Sequence, residues 1–318
     1  SAFLPDQKPE PLRVVVKDAA FTITDQYARH IEPGARDEHW SQFCQTDRTV
    51  GFALRKPPLM RLQIVQFAED DVRLLWSFHH LLLDGWSMPL LMRRVLSTYE
   101  ALLEGGEPQL TAPPAYKHYR DWRSKRPSPE AFWRDTLAGF GPATPLADAL
   151  GAPHNHATYT HRPDHGSNDA TSTLEHRFDL TPSLTAQLRQ FAEGARLSLA
   201  GTLQAATALM LERLTGSKDF LIGTTVAGRP HDLPGADDMI GMFINTVPLR
   251  VRLPASTNLG QWLTGLMQGL AAIQDRPETP LHDVRVWGGF PADKPLFETI
   301  FVFENFPIDG AVGQAEQR

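Results

Sequence analysis

The stretch Val72-Arg73-Leu74-Leu75-Trp76-Ser77-Phe78-His79-His80-Leu81-Leu82-Leu83-Asp84-Gly85-Trp86-Ser87 changes its periodicity part-way, and that change decides the fold class. Val72, Leu74, Trp76, Phe78 and His80 alternate with Arg73, Leu75, Ser77 and His79. This two-residue period, with apolar residues on both faces, predicts a central β-strand. After Asp84-Gly85 the period becomes helical. Leu90, Leu91, Val95, Leu96, Tyr99, Leu102 and Leu103 form one stripe, closed by Gly105-Gly106. A strand thus runs into a helix across a short turn that carries two histidines and an aspartate. On a strand, adjacent histidines point to opposite faces, so His79 and His80 are expected to do different jobs. An imidazole at a strand end can exchange a proton near neutrality. Asp84 can pair with a buried cation, orient an imidazole or cap the helix, and Gly85 predicts a turn with unusual backbone angles. The plain alternative is a core histidine pair and an N-cap aspartate. A zinc site lacks a third ligand at metal spacing.

Working outward, Leu12 to Val16 and Met60 to Phe67 read as strands in a mixed opening region. An aromatic segment, Tyr116 to Trp133, interrupts a stretch rich in Pro, Gly, His and Asp. Ala152 to Ser172 has almost no apolar periodicity and reads as a linker. Beyond it, Thr181-Pro182 is an N-cap with proline at the first helical position. Helices follow at 182–194 and 199–215, strands at 220–226 and 243–253, a helix at 258–272 and a strand at 299–303. The class is therefore α/β or α+β. Two lobes are expected: residues 1–160, a linker at 161–172, and residues 173–318. The net charge of −6 argues against a nucleic-acid surface, and the single cysteine, Cys44, rules out an intrachain disulfide and a cysteine-rich metal site. No apolar run approaches a membrane span, and a cytoplasmic location is expected.

His79-His80-x-x-x-Asp84-Gly85-Trp86-Ser87 on a strand-to-helix junction resembles the active-site motif of condensation domains from nonribosomal peptide synthetases. Further segments resemble that family in its own order: Tyr116 to Trp122, Gly228-Arg229-Pro230, Ile240 to Arg250 and Pro295 to Pro307. His118 stands where the family has an acidic residue, and Pro291-Ala292-Asp293-Lys294 replaces its usual Arg-Asp-x-Ser-Arg-Asn run. The leucines between the histidines and Asp84 are closer to the type that joins two L-residues.

The resemblance implies two chloramphenicol-acetyltransferase-like lobes forming a V, with a tunnel between them. It implies an acyltransferase that forms an amide bond between a donor aminoacyl or peptidyl thioester and an acceptor α-amine. No cofactor or metal would be held tightly. Phosphopantetheine arms of donor and acceptor carrier proteins would deliver the substrates, with an adenylation domain as neighbour. His80 would be the catalytic or substrate-positioning histidine, with His79 and Asp84 architectural and Gly85 giving room for the acceptor amine or a backbone N–H. Trp86, Ser87, Asn245 and Arg250 would line the tunnel or support it, Asn245 needing a buried partner in its apolar strand. Ser87 lacks the Gly-x-Ser-x-Gly setting of a hydrolase nucleophile. Against the family pattern, the first strand, the first helix and an arginine-bearing motif are expected to be missing before Ser1, and further elements after Pro307. Without that arginine, Asp84 is expected to be a buried unpaired charge. The rival readings are an acyl-CoA-dependent acyltransferase of the same superfamily, an epimerization domain, and a non-catalytic module that recruits carrier proteins.

Overall fold

The computed structural model describes residues 1–6, 11–17, 19–141, 146–151, 175–253, 258–292 and 294–304. Their contacts gather into two compact units. The first comprises Ser1–His118 together with Gly235–Met242; the second comprises Tyr119–Pro234 and Phe243–Asn305. The expected linker at 161–172 lies outside the described residues. The units divide not at residue 160 but between His118 and Tyr119. The physical reason is the aromatic segment: Trp133, with no exposed surface, and Leu137 belong to the second unit's core.

In the first unit, strand β1 (Ala2–Leu4) pairs antiparallel with β2 (Leu12–Val14). The main sheet has the order β3-β4-β5, built from β3 (Ile23–Tyr27), β4 (Met60–Gln66) and β5 (Val72–Phe78). β3 runs parallel to β4, and β4 antiparallel to β5 with Arg61 opposite Ser77. β5 is thus an edge strand among the described residues and not the central strand expected; β4 is central. One face of β5 is apolar, with Trp76 and Phe78 in a small core, and the other meets helix α1 (Arg36–Val50) through Arg73 to Asp37 and Ser77 to Asp47. Val65 and Phe67 pack with Ala28, Ile31, Trp40 and Phe43 in a second small core. Helix α2 (Ser87–Leu103) buries its first turn, whereas Val95, Tyr99, Leu102 and Leu103 of its apolar stripe are exposed.

The second unit holds the larger core. Helix α3 (Lys117–Arg123) leads into it, followed by α4 (Glu130–Leu137) and α5 (Leu146–Ala149). α6 (Pro182–Gly194) starts as expected, with the Thr181 hydroxyl accepting from the Leu184 N–H. α7 (Leu199–Thr215) is capped by Ser198 and stopped by Gly216 in the left-handed region. The sheet order is β7-β6-β8, with β6 (Asp219–Val226) central, β7 (Asn245–Arg252) antiparallel to it and β8 (Ile300–Phe301) parallel. α8 (Leu259–Gln274) and α9 (Leu281–Gly288) complete the unit. Ile222, Val247, Leu249 and Val251 are buried almost completely beneath Trp262, Leu266, Leu270 and Ile273 of α8.

Candidate active site

The two histidines do not sit on a strand. β5 ends at Phe78, and His79 begins a turn in which the Leu82 N–H donates to the His79 carbonyl at 3.0 Å. One ladder bond persists beyond the strand, His79 N–H to the Leu59 carbonyl at 2.9 Å, so His79 is still anchored to the sheet while His80 is not. Strand parity therefore governs His79 only, and the turn separates it from His80. His79 is half-buried; its Nδ1 accepts the Leu81 N–H at 3.1 Å, and its ring meets the Phe52 ring edge-on at 6.3 Å. Burial, and then the neighbouring His80, hold the His79 imidazole below the ordinary histidine pKa. His80 stands at the tip of the turn, exposed.

Below this tip lies a dry polar clamp. Asp84 is 1% exposed and Ser87 fully buried. Asp84 Oδ1 accepts the Ser87 N–H at 2.8 Å and lies 2.7 Å from the Ser87 hydroxyl. The aspartate is thus hydrogen-bonded at the start of α2. The clamp reaches across the sequence. The Asp84 N–H donates to the Gly241 carbonyl at 3.2 Å, and the Gly241 N–H donates to Ser87 Oγ at 3.0 Å. Two motifs 154 positions apart therefore meet backbone to side chain. Gly85 and Trp86 are half-buried in the turn between Asp84 and α2.

Sequence pattern does not single out Gly241, because its need for glycine is steric. A Cβ there would lie 2.3 Å from the Tyr116 ring. Tyr116 in turn donates its hydroxyl to the Met242 carbonyl. The aromatic segment thus contributes to the clamp, a role that its sequence pattern alone does not reveal.

Asn245 and Arg250 lie in the second unit, and each is held within it. Asn245 Nδ2 donates to the carbonyls of Pro277 (2.8 Å) and Thr279 (2.6 Å), both in part-buried surroundings. Arg250 forks onto Asp219 at 2.8 and 2.6 Å and donates to the carbonyls of Thr136 and Ala138. The Gly228-Arg229-Pro230 turn requires its glycine: φ is +66°, and a Cβ would sit on the Phe243 carbonyl.

A family model described as the condensation domain matches residues 2–318. The chain belongs to the condensation domain family. This condensation domain is 36% identical over 317 residues to a component of the linear gramicidin synthase of Brevibacillus parabrevis, covering 98% of the chain and 4% of that protein. It is 34% identical over 308 residues to chondramide synthase cmdD of Chondromyces crocatus, covering 95% of the chain and 7% of that protein. The chain thus spans a small part of the curated relatives it matches. Among solved structures, the starter condensation domain of rhizomide synthetase in complex with C8-CoA superposes with a TM-score of 0.70 at 21% identity, over 94% of this chain and 64% of that one. The first condensation domain of the calcium-dependent antibiotic synthetase, bound to a substrate analogue, gives 0.67 at 20% identity, over 96% and 68%. The fold is that of condensation domains, a mixed α/β architecture of the chloramphenicol-acetyltransferase type.

Proposed function

We propose that this condensation domain forms an amide bond between two carrier-bound thioesters within a nonribosomal peptide synthetase. The acceptor's neutral α-amine attacks the donor's thioester carbonyl. The new C–N bond forms, the C–S bond breaks through a tetrahedral intermediate, the donor arm leaves as a thiol, and the amine loses one proton. The carrying observation is the build of the turn: His80 stands exposed while Asp84 and Ser87 beneath it are buried and mutually bonded. A fixed scaffold under a reachable imidazole is what positioning an amine requires. His80 is assigned the contact with that amine, as hydrogen-bond or proton acceptor. His79, Asp84 and Ser87 hold the turn, and Gly85 gives room beside it. Asn245 and Arg250 support the second unit.

The partners are a donor and an acceptor carrier protein, whose phosphopantetheine arms bear the substrates, and a neighbouring adenylation domain. Among the described residues no helix is long and apolar enough to cross a membrane. We place the synthetase in the cytoplasm, where such partners meet it.

The test is to load both carriers with aminoacyl groups and follow the acceptor by mass spectrometry. A dipeptidyl thioester on the acceptor is expected. Transfer from an acyl-CoA but not from a loaded carrier would make the chain an acyl-CoA acyltransferase. Carrier binding with no transfer from either donor would make it a recruiting module.

A further inference from the structure

Behind His79 lies a second cluster that the proposed chemistry does not use. Asp47 of α1 is 8% exposed. Its Oδ1 accepts from Arg61 Nε and Gln63 Nε2, both at 2.6 Å, and its Oδ2 accepts the Ser77 hydroxyl. Arg61 and Gln63 are alternate residues of β4, and Ser77 is the partner of Arg61 across the ladder to β5. One carboxylate therefore ties the helix to two strands on a single face of the sheet.

Arg61 is committed in every direction. Besides the Asp47 carboxylate it donates to the Gly51 carbonyl at 2.8 Å and the Asp47 carbonyl at 2.7 Å, at the C-terminal end of α1, where a cation is favoured. Its guanidinium also lies over the Phe52 ring, 4.4 Å from the centroid. The opposite commitment of Phe52 is to His79, whose ring it meets edge-on. His79 Nδ1 then accepts the Leu81 N–H, which closes the turn around His80. Two physical routes thus run from Asp47 to this turn. One passes through Arg61 and Phe52 to the His79 ring. The other passes through Ser77, two residues before His79 in the chain.

We propose that Asp47, Arg61 and Phe52 are positioning residues that lock the His79 ring in one orientation and so fix the turn that presents His80. The locked state is defined: with Nδ1 accepting from Leu81, the ring proton resides on Nε2. Such locking matters because a displacement of about 1 Å at a reacting group costs on the order of 100-fold in rate. The proposal rests on the reading of His80 given above, yet its test has a readout that needs no activity.

The experiment labels the histidines of the full chain with 15N and records long-range 1H–15N correlations of the His79 ring, assigned by comparison with His79→Asn. The wild-type ring is expected as a single Nε2–H tautomer with a hydrogen-bonded Nδ1. Phe52→Leu keeps apolar bulk but removes the aromatic face and edge; the His79 ring should then average between tautomers, whereas Phe52→Tyr should retain the wild-type signature. In the carrier-loaded assay, Phe52→Leu should lower kcat by about 10-fold with KM little changed. Should Phe52→Leu fail to fold, the double variant Asp47→Asn/Arg61→Gln, which leaves no buried charge behind, carries the same expectation. An unchanged His79 signature in a folded variant would overturn the proposal. A wild-type domain that shows the locked ring but forms no amide product would instead sink the functional reading and leave the positioning array standing.

Discussion

Asp84 and Ser87 are hydrogen-bonded where water does not reach, and that sets the cost of disturbing either. Ser87→Ala removes the acceptor of the Gly241 N–H and one donor to the Asp84 carboxylate together. The expected loss is about 1–3 kcal/mol of unfolding free energy per group left unsatisfied, read from urea denaturation. A midpoint that does not move would show that the clamp is not tight. His80 gives the opposite prediction. Its side chain is exposed at the tip of the turn, so His80→Ala should leave the urea midpoint where it is. Amide formation should fall by roughly 100-fold or more, as is usual for loss of a group that handles a proton in the transition state. Wild-type product yield from His80→Ala with both carriers loaded would remove the residue from the mechanism.

At the scale of elements, the junction of α1 with β4 and β5 depends on pH through Asp47. Burial raises the pKa of its carboxyl, but hydrogen bonds from Arg61, Ser77 and Gln63 and the Arg61 charge outweigh it and hold the pKa below the ordinary aspartate value. The unfolded chain therefore binds the proton more readily than the folded one, and this contribution is complete above roughly pH 4 and lost as pH falls below it. Asp47→Asn should flatten the fall in melting temperature below about pH 4 relative to wild type. An equally steep fall in the variant would assign acid sensitivity elsewhere.

The same elements show how much can be read from sequence. The strand-to-helix switch at Asp84-Gly85 and the Thr181-Pro182 cap are legible because each is a local pattern. α1 escapes such reading because its packed face is mixed: Trp40 and Phe43 pack on Val65 and Phe67, but Asp47 meets Arg61, Gln63 and Ser77 through hydrogen bonds, which cuts the apolar period short. β5 reads as central because apolar residues on both faces suit a doubly covered strand; one of its faces actually carries Arg73 and Ser77, paired to acids. In the site, it is the resemblance to the family motif that points to His79, His80, Asp84 and Ser87. Spacing does not reveal Gly241 and Phe52, since what makes each necessary is a neighbour remote in sequence: the Tyr116 ring for one, the His79 and Arg61 side chains for the other.

For the whole molecule, the informative fact is that, among the described residues, the chain visits the first unit twice. Ile240 packs with the core around Leu59, Leu82 and Leu83, and Gly241 closes the clamp. Residues 1–118 expressed alone should therefore be markedly less stable than the same unit within the full chain. Fusing residues 235–242 behind a flexible linker should restore protection of the Asp84 amide in hydrogen exchange, because its acceptor is the Gly241 carbonyl. Equal protection with and without the fused segment would show that the returning residues are dispensable.

That second visit also orders events in time while the protein is being made. The ribosome delivers Asp84 and Ser87 long before Gly241, and the whole of Tyr119–Pro234 must be translated in between. At typical elongation rates the wait is on the order of 10 s, far longer than collapse or helix formation takes. During that interval the nascent first unit carries a half-built clamp, with the buried places of Asp84 and Ser87 open to water. Its completion is postponed until most of the second unit has been synthesised, so the two cannot mature strictly one after the other. A codon change that speeds or slows translation between 119 and 234 would alter how long that immature surface is offered to chaperones, without changing a single amino acid.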